Sequence, residues 1–490
     1  MTIVSNQRVQ RRHAALPKMT LSIPFDNTYA NLPTNFYSKL TAKTVSDPSL
    51  IAYNSPLAIE LGITGGNDRE LTEIFSGNKI AIGSDPLAQL YSGHQFGQYN
   101  PQLGDGRALL LGETIGSDGL RRDIQLKGSG PTPYSRSGDG RAWLGPILRE
   151  YVVSEAMHAL GIPTTRALAA VLSGETVLRE KLFPGAILTR VASSHIRIGT
   201  FQVYAAQRDW SSLKTLLDYA IARHYPHVEG PLGFLEAVIK SQAALIPKWM
   251  GVGFIHGVMN TDNCQVAGET IDYGPCAFMD RYNPMQVYSS IDRMGRYAYN
   301  TQPDIIVWNM AQLATALVPL MPDGDEAVEA FTKAIHAMPG LINQNWRTIF
   351  AAKIGISAVH PEDERLINAL LTLMTDGQAD FTNTFADLGS TSAREQFIEP
   401  KKYDMWEIEW QKRIATEKDP HTLMAKSNPV LVPRNHRIEE MILAALMGDY
   451  APFQRLQIAL NAPFEKNSEF SDLRRPPSVA QEVKATFCGT

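Results

Sequence analysis

The sequence predicts an α+β fold in two lobes, a strand-rich N-terminal lobe followed by a mainly helical C-terminal lobe. Three observations carry that expectation. Short apolar runs of strand length recur between Ala108 and Val191, one apolar-striped helix interrupts them, and beyond about residue 210 the apolar spacing becomes helical. No repeat, low-complexity tract or long Pro/Gly/Ser linker divides the chain, so the division rests on the change of period. Residues 1–80 are accordingly expected to form an N-terminal extension packed on the core. Residues 81–200 form the strand-rich lobe, and 201–490 the helical lobe and tail.

In chain order, the expected strands are Ala108 to Gly112, Asp123 to Lys127, Thr176 to Arg179 and Gly185 to Val191. The interrupting helix starts near Pro146, whose missing N–H costs nothing in a first turn, and stops at Gly161. Leu148, Val152, Ala156, Ala159 and Leu160 make its apolar stripe, and Glu150 lies off it. Helical periods then run over Ser211 to Tyr225, Leu232 to Met250, Asp304 to Val318, Asp325 to Met338 and Glu362 to Met374.

At 490 residues and 44% hydrophobic content the chain can bury a large core without a metal or disulfide staple. Its 46 basic and 50 acidic residues leave a net charge of −4, which supplies no electrostatic basis for a nucleic-acid or anionic-membrane partner. No apolar run approaches the roughly 20 residues that span a bilayer, and no secretory signal opens the chain, so a cytoplasmic location is the expectation. Arg8, Arg11, Arg12 and Lys18 form a basic, acid-free start that is transit-peptide-like in composition but reads first as a floppy basic tail. Three cysteines, Cys264, Cys276 and Cys488, argue against a disulfide framework.

Chemistry concentrates in a few segments. Gly104-Asp105-Gly106-Arg107 precedes the first strand, where glycines let backbone N–H groups approach phosphate; a hairpin turn would use the same residues. Lys127 ends a strand in Gln125-Leu126-Lys127-Gly128-Ser129-Gly130, and Glu150 stands on the one helix of that lobe. Protein kinases hold nucleotide phosphates with such a strand lysine fixed by a helix glutamate; Glu155, one turn on, competes for the role.

After the helix ending at Met250 comes His256-Gly257-Val258-Met259-Asn260-Thr261-Asp262-Asn263, followed by Asp272-Tyr273-Gly274. Order and spacing match a kinase catalytic loop and metal motif, with Asn263 and Asp272 offering oxygen ligands to Mg or Mn. Val258 departs from that pattern, because it stands where a kinase carries its catalytic aspartate and cannot accept a proton. Asp262 offers a carboxylate instead, unless Thr261-Asp262-Asn263 is simply a turn. His256 reads as a structural residue holding the loop. Arg190 and Arg197 suit forked hydrogen bonds to phosphate or structural ion pairs. Asp139-Gly140, in the glycine-rich stretch Gly128 to Gly140, suits a nucleotide contact or a loop turn.

Together with Tyr91-Ser92-Gly93-His94-Gln95-Phe96-Gly97, Ser194-His195-Ile196-Arg197 and Ile271-Asp272-Tyr273-Gly274-Pro275, these segments closely resemble the selenoprotein O family of kinase-like AMPylators, over nearly the whole chain. The resemblance implies that Asp262 accepts the proton and that Asn263 and Asp272 hold the metal. It implies that Gly104, Gly106, Arg107, Lys127, Asp139, Gly140, Arg190, Arg197 and Asp272 surround ATP, with Glu150 partnering Lys127. It further implies a nucleotide inverted relative to kinases, presenting its α-phosphate to Ser, Thr or Tyr hydroxyls of proteins with pyrophosphate leaving. Eukaryotic relatives carry selenocysteine near the C-terminus, where Cys488 stands here; the hypothesis is that Cys488 pairs with Cys276 on oxidation. UMP transfer from UTP, γ-phosphate transfer and a non-catalytic nucleotide-binding scaffold are the alternatives. Val258 speaks against the second, and the retained Lys127, Asn263 and Asp272 against the third.

Overall fold

An antiparallel sheet buried on both faces organises the first lobe. In the computed structural model, which describes residues 20–487, the strands are β1 (Tyr37–Lys39), β2 (Ser49–Tyr53), β3 (Leu87–Gln89), β4 (Gly93–Gln95), β5 (Gln98–Asn100), β6 (Ala108–Ile115), β7 (Arg121–Lys127), β8 (Ala142–Trp143), β9 (Arg166–Leu178) and β10 (Leu182–Ala192). The basic residues before position 19 and Cys488 lie outside the described residues. The main sheet runs β1-β3-β6-β7-β10-β9-β2, antiparallel throughout, with β8 pairing β10. Leu109, Leu111, Ile124, Leu126, Ile187 and Val191 point to one face, where α1 (Ser55–Glu60) and α2 (Asp68–Phe75) cover them with Leu57, Leu61, Leu71 and Phe75. Leu110, Ala186 and Leu188 point to the other face, against α3 (Leu144–Ala159). Both faces are therefore covered; β6 opens with the apolar run Ala108-Leu109-Leu110-Leu111, whereas β7 buries Asp123, Gln125 and Lys127 between its apolar residues.

The second lobe is helical. It comprises α4 (Ile198–Gln207), α5 (Trp210–His224), α6 (Gly230–Gly251), α7 (Gln302–Leu317), α8 (Gly324–Lys353) and seven further helices between residues 363 and 460. The buried helix α6 packs on α7 and α8. Among the described residues no helix is long and apolar enough to cross a membrane. The α+β class expected from the sequence holds, with differences in extent. The strand at Thr176 is the end of the 13-residue β9. The helix expected to end at Met338 continues through Pro339 to Lys353, because Met338, Ile342 and Phe350 carry its apolar stripe past the proline. Two C-terminal helices, Asn435–Leu446 and Ala451–Leu460, brace the back of α3. Arg434 ties their base to Asp380 at 2.8 and 3.0 Å and to Asp280.

Candidate active site

Helix α3 is buried along most of its length, so Glu150 enters the interior and not solvent. One of its oxygens takes the Lys127 ammonium and the other takes Arg190 Nη1 at 3.2 Å. Lys127 closes β7 and Arg190 lies on the paired strand β10, in register with Gln125, whose Oε1 accepts from Arg190 Nη2 at 2.7 Å. Asp272 Oδ1 completes the cluster, accepting from Lys127 at 3.1 Å and Arg190 at 3.2 Å. Burial works against the Asp272 carboxylate, but the cations Lys127, Arg190, Arg197 and Arg107 hold it well below the usual range. The competing Glu155 is committed elsewhere, to Arg166 at 2.9 and 2.8 Å and to the Ala167 N–H.

Strands β11 (Phe254–Ile255) and β12 (Ala277–Phe278) pair antiparallel and bracket the loop between them. His256 clips its two halves together: Nε2 donates to the Ile271 carbonyl at 2.8 Å, and Nδ1 accepts from the Val258 N–H at 3.3 Å. That pairing fixes the neutral tautomer, which burial also favours. The residue after Ile271 is Asp272, held at φ 65°, so the clip sets the Asp272-Tyr273-Gly274 segment against the loop from His256 to Asn263. Asn263 Nδ2 donates to the Val258 carbonyl at 3.0 Å, which reserves its amide oxygen. Asp262 is buried, in a tight turn. Its Oδ2 accepts from Gln95 Nε2 at 3.0 Å, while Oδ1 has no partner among the described residues. Burial pushes its carboxyl up to about 6 against the opposing pull of Gln95 and Arg197.

Gln95 belongs to the β4–β5 hairpin, which the sequence marked only through resemblance. The hairpin clamps the loop: the His94 N–H donates to Thr261 Oγ1 at 2.7 Å and the Phe96 N–H to Asn260 Oδ1 at 3.1 Å. Gly93 is required there, since a Cβ would sit 2.8 Å from Asp262 Oδ1. Tyr91, two residues earlier, lies under the Arg197 guanidinium at 4.3 Å. Arg197 also faces the buried Asp105 at 3.8 Å, itself held by the Gln89 N–H and Gln125 Nε2, each at 3.1 Å. Gln95, Tyr91 and Asp105 are thus site residues that carry no chemical signal of their own in the sequence.

Tyr91, Gln95, Asp105, Lys127, Arg190, Arg197, Asp262, Asn263 and Asp272 open on one cavity of about 630 Å³ between the lobes, lined by seven cationic side chains against four carboxylates. Such an excess suits a polyphosphate. Gly104, at φ 76°, and Gly106 line it, but what they admit in this structure is the 131–138 loop: a Cβ on Gly104 would stand 2.5 Å from the Tyr134 ring. Gly140 is as constrained, with φ 66° and 2.1 Å from a would-be Cβ to the Gly130 carbonyl carbon. Arg107 lies on the lining, and Asp139 sits at the mouth, paired with Arg179 at 2.8 and 3.1 Å. The described residues hold no group of three or more His, Cys, Asp or Glu side chains arranged for a metal. An Asn263 oxygen and the Asp272 carboxylate on the same cavity fit a hard divalent cation only if substrate phosphate oxygens complete its shell.

A strand lysine locked to a helix glutamate, facing a clipped Asn/Asp loop across a cationic cavity, defines a two-lobed nucleotide-handling enzyme of kinase-like layout. The family model for protein adenylyltransferase SelO matches residues 19–461, and the chain belongs to that family. Proteins described as protein nucleotidyltransferase YdiU are similar over 96% of this chain and 100% of their own length. The one from Ruegeria sp. (strain TM1040) is 63% identical over 472 residues, that of Ruegeria pomeroyi 61% and that of Roseobacter denitrificans 60%. The protein is a nucleotidyltransferase.

Proposed function

We propose that this enzyme transfers AMP from ATP to Ser, Thr or Tyr hydroxyls of proteins, releasing pyrophosphate. The observation that carries this reading is the exchange on the catalytic loop: Val258 lines the cavity where a kinase places its base, and the buried Asp262 lines it four residues on. Asp262 takes the proton of the incoming hydroxyl, whose oxygen bonds to the α-phosphorus as the bond to the β-phosphate oxygen breaks and its electron pair leaves with pyrophosphate. Lys127, Arg190 and Arg197 offset the charge that builds on the phosphates, and Glu150 keeps the first two in place. Asn263 and Asp272 are the residues that would hold Mg or Mn, which supplies charge neutralisation and phosphate alignment when bound. The family's description supports adenylyl transfer and a protein acceptor, whereas the relatives' description leaves the base open.

Purified protein incubated with Mg or Mn and either α- or γ-labelled ATP is expected to retain label on protein from the α position only. Label retained from γ alone would make the enzyme a kinase, and stronger retention from α-labelled UTP would make it a uridylyltransferase. Nucleotide binding without transfer of any label would leave a scaffold.

Redox control through Cys276 and Cys488 belongs to the same proposal. Burial pushes the Cys276 thiol up to about 11, which keeps it unreactive while covered. The tail nevertheless runs close: the Thr486 hydroxyl donates to the Pro275 carbonyl and the Thr486 N–H to the Tyr288 carbonyl at 2.7 Å. Transfer by the unmodified enzyme is expected to respond to mild oxidant, and Cys276→Ser and Cys488→Ser should each remove that response. Sensitivity that survives in both variants would exclude the pairing.

A further inference from the structure

The cavity's positive charge is mostly spoken for. Lys127 and Arg190 share Glu150 and Asp272, Arg197 faces Asp105, Arg179 pairs with Asp139, and Arg141 pairs with Glu175 at 3.0 Å. Among the described residues, Arg107 and Arg136 are the two lining cations with no ion-pair partner. Arg107 follows Gly104 and Gly106 in a segment already considered. Arg136 lies in the glycine-rich stretch Gly128 to Gly140, of which only Asp139 and Gly140 have so far been given a nucleotide role.

Its backbone is unusual for its side chain. Arg136 adopts φ 56°, the left-handed region that glycine enters freely and a β-carbon disfavours, in a turn closed by the Gly138 N–H on the Ser135 carbonyl at 2.8 Å. Three contacts over-determine that turn. The Thr132 hydroxyl donates to the Asp105 carbonyl at 2.7 Å, the Ser135 hydroxyl donates to the Gly106 carbonyl, and the Tyr134 ring fills the space that Gly104 leaves. The loop is therefore rooted on the Gly104–Arg107 segment, and it holds an exposed, uncompensated guanidinium at the rim of the cavity in a conformation that costs stability. A strained residue kept where glycine would relax it points to a use for the side chain.

We infer that Arg136 is a pyrophosphate clamp, a forked donor from the 131–138 loop to the leaving group of nucleotidyl transfer. The inference rests on the AMP-transfer reading. Breaking the bond between the α-phosphorus and the bridging oxygen puts one further negative charge on the departing pyrophosphate. Lys127, Arg190 and Arg197 already face carboxylates, so a cation with no internal partner stabilises the new charge most effectively. The same residue would slow pyrophosphate release, making product inhibition its signature.

Full-length Arg136→Gly and Arg136→Lys chains test this by pyrophosphate inhibition, direct calorimetric binding of pyrophosphate and AMP, and thermal melting. Arg136→Gly is expected to weaken pyrophosphate binding and inhibition roughly 10-fold or more and to lower kcat by a similar factor. Its AMP affinity should be unchanged and its Tm equal or higher, since glycine relieves the strained turn. Arg136→Lys should fall between the two, keeping the charge but losing the fork. Pyrophosphate affinity in Arg136→Gly within twofold of the unmodified enzyme, with transfer still measurable, would overturn the clamp and leave AMP transfer standing. An unmodified enzyme that transfers no α-label and binds no pyrophosphate would overturn both.

Discussion

Replacing Asp262 by asparagine is expected to leave ATP binding within about twofold of the unmodified enzyme and to slow transfer by about 10³-fold, since a general base in place is worth roughly 10²–10⁴. Asparagine keeps the shape, and its amide oxygen can still accept from Gln95, which holds Asp262 Oδ2 at 3.0 Å. What it cannot do is take up a proton. The pH dependence separates this from a mere loss of fit. Burial raises the Asp262 carboxyl to about 6, so the base is protonated and idle below that pH. Single-turnover rates of the unmodified enzyme should climb through about pH 6 and level off above it, and the asparagine variant should lack that limb. Stability runs the other way. A folded-state pKa above the unfolded value means that the folded chain holds the proton more tightly, so the ionised carboxylate costs stability as pH rises through the folded value. Above pH 6 the asparagine variant should therefore melt no lower than its parent, and it should melt higher if the unpartnered Oδ1 is as costly as its burial implies. Transfer within tenfold of normal in that variant would place the base elsewhere.

What the sequence disclosed about this site follows from what its patterns can encode. Lys127, Glu150, Asn263 and Asp272 were legible because order along the chain, strand then helix then loop, is itself the arrangement, and the structure brings Lys127, Glu150 and Asp272 into contact and sets Asn263 on the same cavity. The helices after residue 210 and strands β6, β7 and β10 were legible because their apolar period is long enough to count. The first hundred residues were not. Strands β1 to β5 are three to five residues each, and α1 and α2 are six and eight; such lengths have no readable period and are held by tertiary partners, the helices by Leu109, Leu111 and Leu126 on the sheet and the β4–β5 hairpin by the 260–262 loop. Gln95 was marked only through resemblance for a related reason, because its role exists only once a hairpin is laid across a loop some 167 positions later. Gly104 shows the opposite hazard. A glycine before a strand suggests room for phosphate, but the side-chain space beside Gly104 is taken by Tyr134, so the residue shapes the cavity by admitting a neighbouring loop.

Asp272 is expected to be indispensable for turnover and unhelpful for binding the bare nucleotide. It sits 3.1 Å from Lys127 and 3.2 Å from Arg190, neutralising part of the charge a polyphosphate would seek. Asp272→Ala removes the carboxylate proposed to hold the metal with Asn263 and raises the cavity's charge by one unit. Transfer is expected to fall about 10³-fold or more, on the scale of losing a principal transition-state charge partner. Metal-free ATP should nevertheless bind at least as tightly as to the unmodified enzyme, several-fold tighter at low ionic strength, because Lys127 and Arg190 then share only Glu150. Calorimetry with ATP in chelator, and again with Mg or Mn, separates the two effects. The unmodified enzyme should gain affinity when metal is added, and the variant should gain little. A variant that loses metal-free ATP binding would show instead that Asp272 acts by holding Lys127 and Arg190 in place, and the metal would then have to be held by other oxygens of the cavity.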